Sequence, residues 1–261
     1  MLTLSDIAQF FPEEVRTREK GMLREYLQYM ILSSIYTSKY ASKLVFLGGT
    51  CLRIAYNTKR FSEDLDFDNR GMTEDEFALL GEHIVSSLRH IGVEAEMRVV
   101  YKWAFHCYIR IPKLLHDFGI SGYMEEKILI QLDTVPQPIS YEAMPYTLSG
   151  FGIRATILIT PREVLLAQKI VAAYQRKRTQ GRDFYDITYL EDWGVTPYYP
   201  YLEATLGIHD VSELLQYMHT HNQDIDFVSL TRDLEPFLFR SEDLSLVRDF
   251  PLYIDRQISW T

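Results

Sequence analysis

FLGGTCLRIAYNTKRFSEDLDF, residues 46–67, is the stretch that decides which fold and which chemistry the sequence predicts. It opens with two glycines after an apolar run and closes with Asp64 and Asp66, which are separated by one leucine. Residues two apart on a β-strand project to the same face of the sheet, about 7 Å apart along the chain. Two carboxylates held in this way repel each other unless a cation lies between them.

The glycines predict a turn that can bind phosphate. The segment 43–49 is typical of a short buried strand that ends in a glycine turn, and residues 50–56 follow as a helix. Gly48, Gly49 and Thr50 would therefore place backbone N–H groups at a helix N-terminus, where the helix dipole favours a phosphate. A tight turn that only lets the helix pack closely would carry the same glycines.

The turn and the acid pair are spaced so that they can share one site. Thirteen residues separate Thr50 from Asp64, which is enough for a short helix and a returning strand. Strand carboxylates beside a phosphate-binding turn can hold one or two Mg²⁺ (or Mn²⁺) ions against a nucleoside triphosphate, so Asp64 and Asp66 are candidate metal ligands. The alternative is that they form weak ion pairs at a solvated edge with Arg53, Lys59 or Arg60.

The same stretch resembles a known signature. GGTCLR followed by KRFSEDLDF is similar to the motif of the DNA-polymerase-β-like nucleotidyltransferase superfamily. The form RxSxDxD resembles the AbiEii/AbiGii toxin family in particular and lies at Arg60, Ser62, Asp64 and Asp66. That family also has a helical lysine, then an arginine and a DxxD pair, for which the matching residues are Lys169, Arg182, Asp183 and Asp186.

The resemblance implies roles for these residues. The catalytic set would be Asp64, Asp66, Lys169 and Asp186. The residues that bind the nucleotide would be Gly48, Gly49, Thr50, Arg60, Ser62, Lys169, Arg182 and Asp183. The superfamily also has a third metal-binding carboxylate on a later strand, for which Asp133 is the best-placed candidate, although an aspartate at a strand end is also an ordinary turn former.

The helical residues make physical sense without the resemblance. Lys169 shares a helix face with Leu165 and Ala172, so it is predicted to point inward, either to offset phosphate charge or as a lysine that reaches back to water. Asp183 and Asp186 lie at one end of a core-facing stripe. Buried acids need partners, so they would either pair with Lys169 or Arg182 or line a cleft between the two halves of the chain.

Charge restricts the nature of any nucleic-acid partner. The chain has a formal net charge of −9, which argues against sequence-blind coating of nucleic acid because such binding depends on many cations. The one basic stretch, residues 174–182, carries Arg176, Lys177, Arg178 and Arg182. This stretch is either a solvated helix end or the place where an RNA acceptor is bound.

Other composition features favour a cytoplasmic globular protein. Hydrophobic residues make up 47% of the chain, enough to fill a core, and no apolar run is long enough to span a membrane. The two cysteines argue against a disulfide framework or a zinc ribbon. The seven histidines show no metal-binding spacing.

The element pattern predicts an α+β fold: a mixed β-sheet core with flanking helices, residues 1–160, followed by a mainly helical domain, residues 161–261. A capping box of Thr73 and Glu76 predicts the start of a helix over residues 72–92. A second box, at Thr160 and Glu163, predicts where the helical half begins.

Together these observations predict a Mg²⁺-dependent nucleotidyltransferase that transfers a nucleoside monophosphate to an acceptor hydroxyl. The resemblance implies a growth-inhibiting toxin of a type IV toxin–antitoxin or abortive-infection system, with an RNA acceptor such as the tRNA 3′ end. A cognate antitoxin would come from a neighbouring gene, and direct contact with it is not assumed. Two alternatives are transfer to a small hydroxylated molecule and a nucleotide-binding module without turnover.

Overall fold

A computed structural model of the chain describes residues 1–102 and 104–260, with side chains described to Ile258. Its contacts form two compact units. Unit 1 comprises Met1–Ala55, Phe61–Gln137 and Ala143–Thr160. Unit 2 comprises Tyr56–Arg60, Pro138–Glu142 and the chain from Pro161 onward.

Unit 1 contains a mixed seven-stranded sheet in the order β3-β4-β5-β2-β1-β7-β6. The strands are β1 Leu44–Leu47, β2 Leu65–Asn69, β3 Glu96–Tyr101, β4 Phe105–Ile111, β5 Ile128–Val135, β6 Met144–Gly150 and β7 Ile153–Ile159. The pairs β1–β7 and β2–β5 are parallel, and the other neighbours are antiparallel. The predicted α+β class with a mixed sheet is confirmed.

The described part of unit 1 also contains five α-helices. They are α1 Leu4–Ala8, α2 Glu19–Tyr36, α3 Gly48–Tyr56, α4 Glu74–His90 and α5 Leu114–Asp117. The longest two, α2 and α4, pack on β7 and on β3–β4 respectively. Strand residues alternate accordingly, because successive side chains point to opposite faces. In β5 the even-numbered residues are buried, whereas the odd-numbered ones are half-buried or exposed.

The two predicted capping boxes have different outcomes. At the start of α4, Thr73 Oγ1 accepts from the Glu76 backbone N–H and the Glu76 carboxylate accepts from the Thr73 N–H, which confirms the box. The box at Thr160 and Glu163 is wrong. Helix α6, Arg162–Gln175, has Pro161 as its N-cap residue with no side-chain cap hydrogen bond. Thr160 instead continues the sheet, since its backbone N–H donates to the Phe46 carbonyl at 2.9 Å.

Unit 2 is helical. After α6 it contains α7 Gly181–Asp192, α8 Tyr199–Leu206, α9 Val211–Asn222, α10 Phe227–Leu234, α11 Ser245–Arg248 and α12 Phe250–Trp260. Its core is aromatic, because Phe184 contacts both Phe227 and Phe250 with ring centroids 4.9 and 5.0 Å apart. No helix in the described part of the chain is long and apolar enough to cross a bilayer.

Candidate active site

The glycine turn lies directly against the acid pair in unit 1. Strands β1 and β2 pair so that Leu47 is opposite Asp66, which places Gly48, the first residue of α3, beside the Asp66 carboxylate. Gly48 has a φ of +77°, a backbone conformation that favours glycine. A Cβ added at Gly48 would overlap the Asp66 carboxylate. Glycine is therefore required here both by the backbone conformation and by the neighbouring acid.

The loop that leads into the acid pair is fixed from two sides. The Thr50 hydroxyl, in the first turn of α3, donates to the Asp64 carbonyl. The buried Gln28 side chain of α2 donates to the carbonyls of Ser62 and Glu63, each at 3.0 Å. Because a buried amide and a buried hydroxyl hold three consecutive carbonyls, the backbone before β2 is positioned with little freedom.

Asp66 lies on the face of β2 that the alternation predicts, and Asp64 directly precedes this strand, which begins at Leu65. Leu65 and Phe67 are buried in the core, whereas both aspartates are half-buried. Both aspartates are thus partly accessible, whereas their apolar neighbours are enclosed.

A third carboxylate lies beside this pair. In the parallel pairing of β2 with β5, Asp66 is opposite Asp133, so the two side chains project from neighbouring strands on one face. The Asp133 carboxylate is hydrogen-bonded to His106 Nδ1 at 2.7 Å and to Gln131 Nε2 at 2.8 Å. The structure therefore brings Asp133 close to Asp66 but engages its oxygens with a histidine and an amide.

The donor set suits a magnesium ion that is shared with a substrate. Across the described residues, no three histidine, cysteine, aspartate or glutamate side chains gather into a metal cluster. Mg²⁺ is commonly bound by one or two carboxylates, with substrate phosphates and water completing its octahedral shell. Asp64 and Asp66, half-buried beside the turn at Gly48, provide that kind of partial shell.

Unit 2 contains a second group of predicted site residues, and it is buried. Lys169 on α6 has its Nζ 3.0 Å from Asp183 Oδ1 and 2.8 Å from Asp186 Oδ2, both on α7. Arg60, which is fully buried, donates from two guanidinium nitrogens to the two Asp186 oxygens at 2.7 and 2.6 Å. The inward orientation predicted for Lys169 and its pairing with the two acids are thus observed.

The cations of this cluster decide the protonation state of Asp186. Burial raises the pKa of the Asp186 carboxyl, but Arg60 and Lys169 more than offset this effect and hold the pKa below its ordinary value. The carboxylate is therefore charged and bidentate, and an Arg–carboxylate pair of this kind is geometrically specific as well as strong. Because Arg60 is enclosed in this pair, its predicted contact with a nucleotide stays a prediction.

Arginines also lie at the outer side of this cluster. Arg176 Nη1 is 3.3 Å from Asp183 Oδ2, and its side chain is 41% exposed. Arg182, the alternative partner predicted for the acids, instead donates to Gln180 Oε1 at 2.6 Å. Arg176 donates to the same oxygen at 2.9 Å. Sequence reasoning missed Arg60 and Arg176 as partners of these acids.

Two further residues of the site were not predicted. Gln28 is buried in α2 among mainly apolar side chains, with Glu25 and Ser34, and an amide at such a position could have indicated a structural hydrogen bond. His106 aligns with Asp133 only through the pairing of β4 with β5. Nothing local in the sequence specifies that register.

Comparison with known proteins identifies the family. Residues 31–251 match the family model described as nucleotidyl transferase AbiEii toxin of a type IV toxin–antitoxin system. The chain belongs to this family. It is a nucleotidyltransferase, and the resemblance seen at Arg60–Asp66 is confirmed by a match over most of the chain.

Solved structures agree with this assignment at the level of the fold. A provisionally assigned nucleotidyltransferase from H. pylori is similar, with a TM-score of 0.56, 17% identity and coverage of 93% of this chain and 97% of the other. The protein JHP933 from Helicobacter pylori is also similar, with a TM-score of 0.53, 17% identity and coverage of 93% and 94%. No protein of curated function matches this AbiEii-family sequence.

Proposed function

We propose that this AbiEii-family nucleotidyltransferase transfers a nucleoside monophosphate from a nucleoside triphosphate to the 3′ end of an RNA, with tRNA as the leading candidate. The observation that supports this most directly is the contact of Gly48 with the Asp66 carboxylate, which joins a phosphate-binding turn to a pair of metal-ligating acids. Growth inhibition would follow because a modified tRNA end cannot be aminoacylated.

In this proposal Asp64 and Asp66 hold Mg²⁺, and Asp133 is a further ligand if it exchanges its hydrogen bonds with His106 and Gln131. The ion, when bound, stabilises the charge on the attacking and leaving oxygens. The backbone N–H groups at Gly48, Gly49 and Thr50 bind the triphosphate at the start of α3.

The reaction is an in-line displacement. The acceptor hydroxyl attacks the α-phosphorus, a new P–O bond forms, and the bond to the β-phosphate oxygen breaks as pyrophosphate leaves. The protein contributes mainly positioning and electrostatic stabilisation, as in other phosphoryl transfers. Lys169, fixed by Asp183 and Asp186, would offset triphosphate charge.

The proposed RNA acceptor is supported by one basic stretch on an acidic chain. Arg176, Lys177 and Arg178 are exposed in the loop between α6 and α7, and Arg182 is half-buried. Local cations of this kind can bind phosphates without making the whole chain basic. A cytoplasmic location and regulation by a cognate antitoxin, without an assumed direct contact, complete the proposal.

The test is incubation with each α-labelled nucleotide, Mg²⁺ and bulk RNA, followed by gel separation. We expect label in RNA with the wild-type protein and none with the Asp64→Ala plus Asp66→Ala variant, which should also lose toxicity on expression. Undiminished transfer by the variant would contradict the proposal. If label enters only small hydroxylated molecules from a test panel, the acceptor is a small molecule and not RNA. Mg²⁺-dependent nucleotide binding without pyrophosphate release would indicate a binding module.

A further inference from the structure

The sheet of unit 1 has a polar side that continues sideways from the acid pair. In the register of β2, β5 and β4, Asp66 is opposite Asp133, and Asp133 is opposite His106. These three side chains therefore form a row across adjacent strands. The next row on the same face contains Gln131 of β5 and Tyr108 of β4.

The contacts of α4 show that this side is opposite to the helices. A Cβ at Gly81 of α4 would meet the sulfur atoms of Met97 and Cys107, and Phe77 contacts the ring of Phe105. Odd-numbered residues of β3 and β4 therefore face the helix. Because neighbouring strand residues alternate, the even-numbered residues face away from it.

The even-numbered residues combine aromatic and cationic groups. The rings of His106 and Tyr108 are stacked, with centroids 6.4 Å apart and an interplanar angle of 27°. Arg98 of β3 is opposite Tyr108 of β4. Arg110 lies two residues after Tyr108 on the same strand. We call the surface of His106, Tyr108, Arg98 and Arg110 the acceptor face.

Both arginines of the acceptor face carry uncompensated charge. Arg98 and Arg110 are exposed, and neither pairs with a carboxylate within the part of the chain that the structure describes. The acid opposite Arg110 is Glu96, which pairs instead with Lys127 at 3.3 Å. On a chain of net charge −9, this face therefore presents two arginines without an acidic partner among the described residues, next to the Glu96–Lys127 pair and to Asp133.

We propose that the acceptor face binds the single-stranded end of the RNA acceptor, with a base stacked on Tyr108 and phosphates on Arg98 and Arg110. This inference rests on the proposed function and assigns the single-stranded end of the acceptor, rather than the whole RNA, to unit 1. An aromatic ring beside arginines is the usual combination for single-stranded nucleic acid, because every base has a face that stacks and every nucleotide has a phosphate.

The position of the face fits an acceptor whose terminal hydroxyl reaches the acid pair. Neighbouring strands lie about 4.8 Å apart, so β4 is roughly 10 Å from β2 across the sheet. A chain end that passes from Tyr108 over Asp133 to Asp66 therefore needs only a few nucleotides. Asp133 lies under this path, where its contact with His106 fixes both side chains.

The test is equilibrium binding of a short labelled single-stranded RNA, by fluorescence anisotropy without nucleotide. We expect Tyr108→Ala to raise the Kd roughly 5- to 150-fold, which corresponds to about 1–3 kcal/mol of base stacking. Tyr108→Phe keeps the ring and should bind like the wild type. Arg98→Ala and Arg110→Ala should each make the negative slope of log K against log salt less steep by about 0.7.

The matched control is Arg154→Ala, which removes an exposed arginine from β7, a strand on the opposite side of β2 in the sheet. This variant should leave both the Kd and the salt slope unchanged. In the transfer assay the Tyr108 and Arg98 variants should raise KM for RNA and leave KM for the nucleotide unchanged.

The outcomes separate this proposal from the proposed function. If Tyr108→Ala and Arg98→Ala transfer label to RNA with an unchanged KM for RNA, the acceptor face does not bind the RNA. The proposed reaction would still hold. The face would also be overturned if the wild type failed to bind single-stranded RNA, or if the variants changed KM for the nucleotide instead. Variant-sensitive RNA binding in a protein that labels no RNA would support the face and overturn the proposed reaction.

Discussion

The acids of β2 and the acids of α7 are the same residue type in opposite environments. Asp66 lies on β2 and Asp64 directly precedes that strand, and both side chains are half-buried. Asp183 and Asp186 are fully buried and paired with Lys169, and Arg60 completes the cluster. Acids that the chain encloses with its own cations, as at Asp183 and Asp186, stabilise the fold, whereas half-buried acids beside a glycine turn, as at Asp64 and Asp66, are suited to bind a cation with a substrate.

The largest expected change in stability comes from breaking the buried cluster. Asp186→Ala should lower the free energy of unfolding by about 3–5 kcal/mol, because Arg60 would remain buried without its bidentate partner. Urea denaturation measures this. Asp192→Ala, at the exposed end of the same helix, is the matched control and should change stability by less than about 0.5 kcal/mol. A loss of stability no larger than that of the control would show that the cluster does not stabilise the fold.

A smaller effect is expected where the turn meets the strand acids. Gly48→Ala should destabilise the protein by about 1–3 kcal/mol, because the residue has a positive φ and its new Cβ would overlap the Asp66 carboxylate. Displacement of that carboxylate should also abolish nucleotidyl transfer.

Gly71→Ala separates the two causes. Gly71 has a similar φ, +85°, but a Cβ there meets no atom within 4 Å. This variant should lose only the stability that backbone strain costs, and it should keep full activity. If Gly48→Ala retained the wild-type rate, the close approach of the turn to Asp66 would not matter for the reaction.

Glu191 extends the comparison, because it is a half-buried acid of α7 with an enclosed Oε2 atom, and no lysine or arginine pairs with it among the described residues. Burial raises the pKa of Glu191 from its ordinary 4.5 to about 7, and a hydrogen bond from Tyr253 offsets only part of the shift. The folded state therefore binds this proton more tightly than the unfolded state does. Stability contributed by the protonated form is lost as the pH rises from about 4.5 through 7.

Glu191→Gln should consequently stabilise the protein by about 1–3 kcal/mol above pH 7, and the gain should vanish below about pH 4.5. Thermal or urea unfolding across this pH range measures it. Glu235→Gln, an exposed glutamate of unit 2, should show no such pH-dependent difference from the wild type. A constant gain at every pH would show that packing rather than ionisation is responsible.

The smallest change in stability is expected at the strand acids themselves. Asp64→Asn plus Asp66→Asn should alter the free energy of unfolding by less than about 1 kcal/mol in metal-free buffer, because both side chains are half-buried and amides of the same size leave no cavity. Activity should still be lost. Destabilisation comparable to that of Asp186→Ala would show that Asp64 and Asp66 stabilise the fold as much as the buried acids of α7 do.

Local patterns in the sequence predicted the elements that depend on nearby residues. The alternation of Leu65 and Phe67 with Asp64 and Asp66 placed the acids on one face of β2. The box of Thr73 and Glu76 placed the start of α4. The box at Thr160 was wrong because a residue with capping chemistry can also extend a strand when a neighbouring strand is available, here through Phe46.

Contacts between residues distant in sequence could not be predicted in this way. Arg60 and Asp186 are 126 positions apart, and only the packing of unit 2 brings them together. The row from Asp66 through Asp133 to His106 depends on the register of three strands. The strand β6, over Met144–Gly150, was missed because its residues alternate weakly and include a proline at the sheet edge.

The short segment Tyr56–Arg60 belongs to unit 2, although it precedes most of that unit by about a hundred residues in the sequence. Its Lys59 carbonyl accepts from the Phe239 backbone N–H at 2.8 Å, and Arg60 closes the ionic cluster around Asp186. A fragment that starts at Pro161 would lack both contacts and would enclose Asp186 with one cation fewer. The helical half is therefore not a separable module, and ribosomal synthesis must deliver both ends of the Arg60–Asp186 pair before that half can reach its final structure.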